Sequence, residues 1–377
     1  MRFLHTSDWH LGKTLCNANL LEDQAHALDQ VAAMVKEAGA EALVVAGDLY
    51  DRAVPPKDAV ALLDEFLDRI VRGLGVPVLI IAGNHDSPER LGFASGFLGT
   101  QGLHVAGPLD ADAAPVVIGG TAFHLLPYAD PAMARHAFQA EGVRTHQDVL
   151  AAQLARARAV HPADHRFVAV AHAFVAGGEG SDSELGLAIG GTGEVDAGLF
   201  RECDYAALGH LHRPQQAGFA HVRYAGSLLK YSASEAGHAK SATLVELPER
   251  GPARTEILPF SPRRDLRRLR GRFDDLLRGP EGNADDYLFL ELEDTGPVLD
   301  AMARLRRIYP NILGIQPAPR PTTPTETALS AAADRELDPA LLFDAFFRGA
   351  AGRPMDEAER ELFREVAGRN LSGEAPE

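Results

Sequence analysis

The chain has 377 residues, of which 46% are hydrophobic and 24% charged, and it carries a formal charge of −16 at neutral pH. That composition belongs to a globular protein with two or three domains and excludes disordered, collagen-like and coiled-coil classes. The acidic balance also excludes nucleic-acid binding by bulk charge alone, because counterion release needs clustered Lys and Arg.

The N-terminus lacks a basic stretch followed by an apolar run, so no secretory signal is expected and the cytoplasm is the expected compartment. The longest apolar runs, such as Val76 to Ala82, fall far short of a membrane span. Cys16 and Cys203 stand alone, without Cys-x-x-Cys spacing, so any bound metal should have oxygen and imidazole ligands.

From the start to residue 255, short β-rich runs alternate with amphipathic patterns, which predicts an α/β domain. The predicted strands are Phe3 to Thr6, Ala42 to Ala46, Val78 to Ala82, Phe123 to Leu126, Phe167 to Ala171, Tyr205 to Leu208 and Ala242 to Leu247. Two predicted helices separate the first three. One carries Leu28, Val31, Ala32 and Val35 on one face and ends near Gly39; the other carries Val60, Leu63, Leu67 and Ile70. A β-α-β-α-β opening implies parallel strands with right-handed crossovers.

Residues 256–316 read as a small separate domain. It has an arginine-rich stretch, a strand at Tyr287 to Leu292, a helix bearing Val298, Met302, Leu305 and Tyr309, and a strand at Ile312 to Ile315. A linker at 317–337 opens with Pro317, Pro319, Pro321 and Pro324 and should be extended. Two helices are expected over 338–377. The first starts at Asp338 and Pro339 and presents Leu341, Leu342, Ala345 and Phe346; the second carries Ala358, Leu362, Phe363 and Val366. Their apolar stripe suits docking in a partner's groove, with folding back on the chain's own domain as the alternative.

Asp, His and Asn residues stand where predicted strands give way to loops. They are Asp8-Trp9-His10, Gly47-Asp48, Gly83-Asn84-His85-Asp86, His172, and Gly209-His210-Leu211-His212. Ligands bind at the carboxyl ends of strands in α/β sheets, so five such ends can converge on one site. In extended chain alternate residues share a face, which would pair Asp8 with His10 and His210 with His212. Glycines at 47, 83 and 209 are expected to serve tight turns.

If Asp8, His10, Asp48, Asn84, His172, His210 and His212 bound two divalent metals, two carboxylates would leave a net charge of about +2, which attracts a phosphodiester. Asp48 is the expected bridge between the ions. His85, beside Asn84 and not needed as a ligand, is the expected general acid. Lys13 and Arg52, on loops next to the first two motifs, are candidate phosphate contacts, with solvated charge as the alternative. The six arginines of residues 263–272 are either a backbone-binding patch or a solvated face.

These five motifs resemble those of the calcineurin-like metallophosphoesterases, and the fuller strings narrow the resemblance. His5-Thr6-Ser7-Asp8-Trp9-His10-Leu11-Gly12, Ala46-Gly47-Asp48-Leu49-Tyr50-Asp51, Ala207-Leu208-Gly209-His210-Leu211-His212-Arg213 and Tyr224-Ala225-Gly226-Ser227 look like the bacterial SbcD branch. The resemblance implies an α/β sandwich of two mixed sheets flanked by helices, a small α+β capping domain and a helical tail that binds SbcC. It implies the seven residues above as ligands of two divalent metals, most simply Mn2+, and His85 as the catalytic histidine.

The implied activity is that of a double-strand DNA exonuclease acting 3′ to 5′, and of an endonuclease on single strands and hairpins, in DNA repair, recombination and replication. The implied assembly is a homodimer bound to two copies of the SbcC ATPase, with no membrane. Two features depart from the family pattern: Asp51 stands near where other branches carry a second catalytic-site histidine, and the fourth motif is Ala171-His172-Ala173 instead of Gly-His. Two rival readings are a phosphatase or phosphodiesterase of the same fold, and a scaffold that kept the fold without its chemistry.

Overall fold

The structure, a computed structural model, describes residues 1–184, 193–280, 282–294, 296, 298–318, 343, 347, 353–357, 359–361 and 363. Residues 1–318 form one compact unit and 319–377 a second.

The first unit is built on two six-stranded sheets packed face to face. In one, the order is Arg254–Pro259, Ser241–Glu246, Arg2–Thr6, Ala42–Val45, Val78–Ile81, Leu103–Ala106, and the last four run parallel. In the other, the order is Gln215–Ala217, Phe219–Tyr224, Tyr205–Gly209, Arg166–His172, Thr121–Leu126, Val116–Ile118, and the middle four run parallel. All seven predicted strands of this region are present within a residue or two of their expected bounds. They contain the runs Ala42–Val45 and Val78–Ile81, buried on both faces, as strands inside a sandwich must be.

The inner faces meet in a core of Phe3, Val44, Leu79, Ile81, Phe123, Val168, Val170, Tyr205 and Ala207. Phe3 meets Phe123 and Tyr205 edge-on, with ring centroids 5.2 and 5.7 Å apart. The outer face of the first sheet is covered by the helix Leu21–Glu37, which buries the predicted Leu28, Val31, Ala32 and Val35, and by the helix Lys57–Leu67. Val60 departs from expectation: it is 43% exposed, because the buried stripe of its helix runs through Ala59, Leu63 and Phe66. The helix His146–Ala159, opened by a capping box at Thr145 and Asp148, packs on the second sheet.

Several elements carried no sequence signal strong enough to be predicted. Among them are the strand Leu103–Ala106 and the strand Leu266–Gly271, which reads as an arginine run but buries Leu266 and Leu269. That strand joins Tyr287–Leu292 and Ile312–Pro317 in a parallel three-stranded sheet with its own core of Phe273, Leu288, Leu290, Leu305 and Tyr309. The expected helix over Val298 to Tyr309 shortens to Ala301–Leu305, since Asp300 just before it takes a left-handed conformation (φ 52°) that a helix cannot propagate.

In the second unit Phe363 stacks on Phe343 at 4.3 Å, and Arg353 pairs with Glu359 at 2.7 Å. Residues 338–342, 345, 346, 358, 362 and 366, on which the expected tail helices rest, lie outside the described residues.

Because the central strands of both sheets are parallel, the segments following Thr6, Val45, Ile81, His172 and Gly209 are brought together along one edge of the sandwich. The two sheets are stitched there by hydrogen bonds: the Tyr128 amide donates to Ala82 O at 2.9 Å, and an imidazole nitrogen of His5 lies 3.2 Å from Leu208 O.

Candidate metal centre

The loop after the first strand is fixed by neighbouring strand ends. The Asp8 amide donates to Gly47 O (3.0 Å) and the His10 amide to Asp48 O (2.9 Å). Trp9 points the other way into the core, edge-on to Phe66, and its Nε1–H donates to Thr6 Oγ1. The pairing of Asp8 with His10 is as expected but its geometry is not. Asp8 (φ 52°), His10 (φ 46°), Asp48 (φ 50°) and His210 (φ 108°) all have positive φ, whereas extended chain was expected at Asp8, His10 and His210. Left-handed backbone at non-glycine residues costs about 1–3 kcal/mol each and persists only where the surroundings over-determine it.

The glycines also work differently from expectation. Gly47 does adopt a left-handed turn (φ 92°). Gly83 and Gly209 do not; they are required for close approach. A Cβ on Gly83 would lie 2.1 Å from Asp48 Oδ1, and one on Gly209 would lie 1.9 Å from Ala46 O.

The side chains converge. Asp48 Oδ2 lies 3.7 Å from His10 Nε2 and 3.4 Å from His172 Nε2, between the two imidazoles. His172 Nε2 is 2.9 Å from Asn84 Oδ1, and His10 Nε2 is 3.0 Å from His212 Nε2. Asp8 accepts the His210 amide on both carboxylate oxygens, at 3.0 and 3.2 Å, and the His172 and His210 rings meet edge-on at 5.4 Å. One potential ligand atom from each of Asp8, His10 and His212 falls within 4.8 Å of the others, and the same holds for Asp8, Asp48 and His172. Asp8, His10, Asp48, His172, His210 and His212 are buried, with Asn84 and His85 at the mouth.

Residues 1–214 match the family described as calcineurin-like phosphoesterase, which is more than half of the chain. The chain belongs to the calcineurin-like phosphoesterases. Residues 262–350 match the SbcD C-terminal domain, described as the type 5 capsule protein repressor C-terminal domain, so the chain is an SbcD-type metallophosphoesterase. Two solved structures are similar at low identity. Yfce, a phosphoesterase from E. coli, is 16% identical over 65% of this chain and 88% of its own, with a TM-score of 0.28. GAP50, the anchor in the inner membrane complex of Plasmodium, is 12% identical over 86% of this chain and 99% of its own, with a TM-score of 0.37.

A calcineurin-like phosphoesterase is a metal-dependent enzyme, and the donor set fits divalent cations. His172 Nδ1 lies 2.9 Å from Ala46 O, which can only accept, so neutral His172 carries its lone pair on Nε2, facing Asn84 and Asp48. His10 has Nδ1 buried without a hydrogen-bond partner and Nε2 turned on another imidazole nitrogen. The two Nε2 atoms can share one proton between them, and a cation taking that proton's place could be held by both lone pairs.

Electrostatics agree. Burial, the largest single influence, would lower the His172 pKa, but the charge and hydrogen bond of Asp48, with Asp8 and the Ala46 carbonyl, together outweigh it and raise it to about 9. The site therefore draws a proton into the space a cation would take. Burial lowers His210 to about 3, helped by the charge on His172, and raises Asp8 to about 6 against the pull of His172 and His212.

His85 stands next to this cluster, edge-on to His10 at 4.7 Å. Its amide donates to Asp48 Oδ1 and its Nδ1 lies 2.9 Å from Asp51 O, again a pure acceptor, so Nε2 is the nitrogen left to exchange a proton. Lys13 is pinned by Asp51 at 2.7 Å, and Arg52 is exposed. The arginine run differs from a free basic patch. Arg263 and Arg264 pair with Glu22, Arg267 with Asp286, Arg268 with Glu291 and Arg270 with Glu293. These pairs favour the solvated-face alternative, and half or more of the cationic charge is already answered.

Supporting residues escaped sequence reasoning. Gln24, on the helix Leu21–Glu37, donates to His10 O (2.7 Å) and Trp9 O (3.1 Å) and accepts from Gly12 N, holding the first loop. Asp86 accepts from the amides of Leu49, Tyr50 and Gly83 and so ties the second loop to the third. Its place in the Asn84-His85-Asp86 string was the one available signal.

Proposed function

We propose that this chain is the nuclease subunit of a DNA-processing complex, cutting phosphodiester bonds with two divalent cations held by Asp8, His10, Asp48, Asn84, His172, His210 and His212. Asp48, between the His10 and His172 imidazoles, is the residue that would hold both ions. Mn2+ is the proposed metal, and once bound the ions would supply the positive charge that draws a phosphodiester and activates water.

The chain's own residues do the rest. Asp48 and Asn84 fix the loop that presents His85. Asp51 O anchors His85 Nδ1 and turns Nε2 toward the mouth, where it donates a proton to the departing oxygen. Lys13 and Arg52 receive the flanking phosphates. The observation that supports this reading is the clustering of Asp8, His10, Asp48, His172 and His212, with Asn84 and His210 in contact with them, in a chain that also bears the SbcD C-terminal domain. A phosphatase acting on small monoesters has no need of that second domain.

The proposed activity is 3′-to-5′ exonuclease on duplex ends and endonuclease on single strands and hairpins, in partnership with an SbcC-type ATPase. The proposed divisions are a nuclease domain over 1–255, whose edge strand Arg254–Pro259 runs a few residues past that bound, a cap over 256–316, a linker over 317–337 and an ATPase-binding segment over 338–377. Phe93 (80%) and Phe97 (71%), like Val54 and Val60, are exposed apolar side chains of the kind that the proposed homodimerisation would cover.

The test is digestion of end-labelled duplex and hairpin DNA with Mn2+, with and without the ATPase, set against hydrolysis of a simple phosphomonoester. Faster turnover of the monoester than of either DNA would refute the nuclease reading. Co-purification of the ATPase with a chain lacking residues 338–377 would refute the role of the tail.

A further inference from the structure

His212 differs from the other candidate ligands in being held by a buried polar network. Ser183 Oγ donates to Glu235 Oε1 at 2.6 Å, a carboxylate that can only accept. Its single proton being spent there, the same oxygen must accept from His212 Nδ1, 2.8 Å away. Glu235 Oε1 is itself 3.3 Å from that nitrogen. The proton is thereby locked on Nδ1 and the lone pair on Nε2, the nitrogen that faces His10. Lys240 closes the network: its Nζ pairs with Glu235 Oε2 at 2.5 Å and donates to His212 O (2.6 Å) and Ser227 Oγ (2.8 Å). Glu235 is fully buried and Lys240 nearly so, whereas a carboxylate and an ammonium serving only stability are rarely taken from water.

Glu235 sits on the short turn Ala233–Gly237, and the small parallel sheet grips that turn at both ends. Arg268 Nε, from the strand Leu266–Gly271, donates to Ala233 O at 2.9 Å. Lys230 Nζ donates to Ala236 O (2.8 Å) and to Leu266 O (3.2 Å) and pairs with Asp265. A continuous chain of contacts therefore runs from the small sheet through Glu235 to His212.

We propose that Ser183, Glu235 and Lys240 are positioning residues that set His212 for cation binding, and that the small three-stranded sheet steadies them through Arg268. The inference rests on the two-cation reading of the site. A carboxylate and hydroxyl on the far nitrogen orient the imidazole and raise its basicity as a ligand, and losing such partners typically costs about 10–100-fold in metal affinity.

The experiment titrates Mn2+ into the full chain and follows free Mn2+ by its paramagnetic resonance signal, for the wild type and for Ser183→Ala, Glu235→Gln, Arg268→Ala and His212→Ala. Ser183→Ala and Glu235→Gln are expected to weaken one of the two sites about 10–100-fold. Arg268→Ala should weaken the same site by a few-fold, with thermal melting of the metal-free protein unchanged. Since Glu235→Gln leaves Lys240 without its anion and can fail to fold, Ser183→Ala carries the test alone if need be. Wild-type affinity at both sites in Ser183→Ala overturns the positioning role, and wild-type affinity in Arg268→Ala overturns the part assigned to the sheet. A wild-type chain that binds no Mn2+, or a His212→Ala chain that binds two ions as tightly as wild type, would instead overturn the metal reading itself.

Discussion

Gly83→Ala is the smallest change that should disable the centre. The added methyl would lie 2.1 Å from Asp48 Oδ1, 2.4 Å from Asp48 N and 2.8 Å from Asp48 Cγ. A side chain alone can rotate away from such a clash, but here the backbone amide is struck as well. Asp48 is also held at φ 50° with its Oδ1 accepting the His85 amide, so turning its side chain away breaks that hydrogen bond and still leaves the methyl against the Asp48 amide. Either Asp48 or the 83–86 loop must retreat by about 1 Å, and a displacement of that size at a reacting centre costs about 100-fold in rate. Overpacking adds about 1–3 kcal/mol of destabilisation.

The assay is hydrolysis of a chromogenic phosphodiester with Mn2+, alongside metal content and thermal melting. Gly142→Ala is the control, since a methyl there meets nothing within 4 Å and Gly142 is not left-handed. The expected result is a loss of about 100-fold for Gly83→Ala against no change for Gly142→Ala. Activity of Gly83→Ala within a factor of about three of wild type would show that the rate does not depend on where Asp48 is held, and the bridging role would fall.

His85→Gln should keep the fold and the bound metal while lowering cleavage by about 100-fold or more, because the amide is polar and of similar reach but has no proton acidic enough to give to the departing oxygen. Unchanged single-turnover cleavage would remove His85 from proton transfer. Metal uptake should release protons with a definite pH dependence. His172 is raised to about 9 and is protonated at pH 7.5, whereas His210 is already neutral and Asp8, at about 6, already ionised. A cation entering between Asn84 and Asp48 displaces the His172 proton, so about one proton is released at pH 7.5, falling toward none as pH passes 9. A dye-based count that stays constant from pH 7 to pH 10 would contradict the charge arrangement around His172.

How much of this could be read in advance varied with sequence distance. The five strand-end motifs were legible because each is local: an apolar run, then Gly or a short polar loop, then a ligand type. The helix Leu21–Glu37 was legible for the same reason, its buried face recurring at 3.6-residue spacing. Leu266–Gly271 was not, since arginine carries its charge on a long stem and masks the strand pattern of Leu266 and Leu269. Neither were the acids that answer those arginines, which arrive from the helix Leu21–Glu37, the strand Tyr287–Leu292 and the residues just before and after it. Gln24, Ser183 and Glu235 lie 14, 29 and 23 residues from the histidines they hold, with no pattern linking them. The candidate ligand types could be named from the sequence, but the left-handed backbone that aims them could not, because it is imposed by the strands on either side.

That backbone makes a last prediction about what the site costs. Four candidate ligands at positive φ, and His10 with a buried unpartnered Nδ1, mean that the metal-free centre works against folding. His10→Asn tests it, because asparagine is the side chain best suited to left-handed backbone and brings no charge change. In chelator, removing the unpartnered imidazole and easing the φ strain offset the cavity left behind, so the variant should melt within about 1 kcal/mol of wild type, where truncating a well-packed buried ring costs about 3–5 kcal/mol. With Mn2+ at 100 times its dissociation constant the wild type should gain about 2.7 kcal/mol and the variant much less. A variant that loses several kcal/mol in chelator, or that gains as much from Mn2+ as wild type, would mean that His10 is a packing residue and that the strained turn has some other purpose.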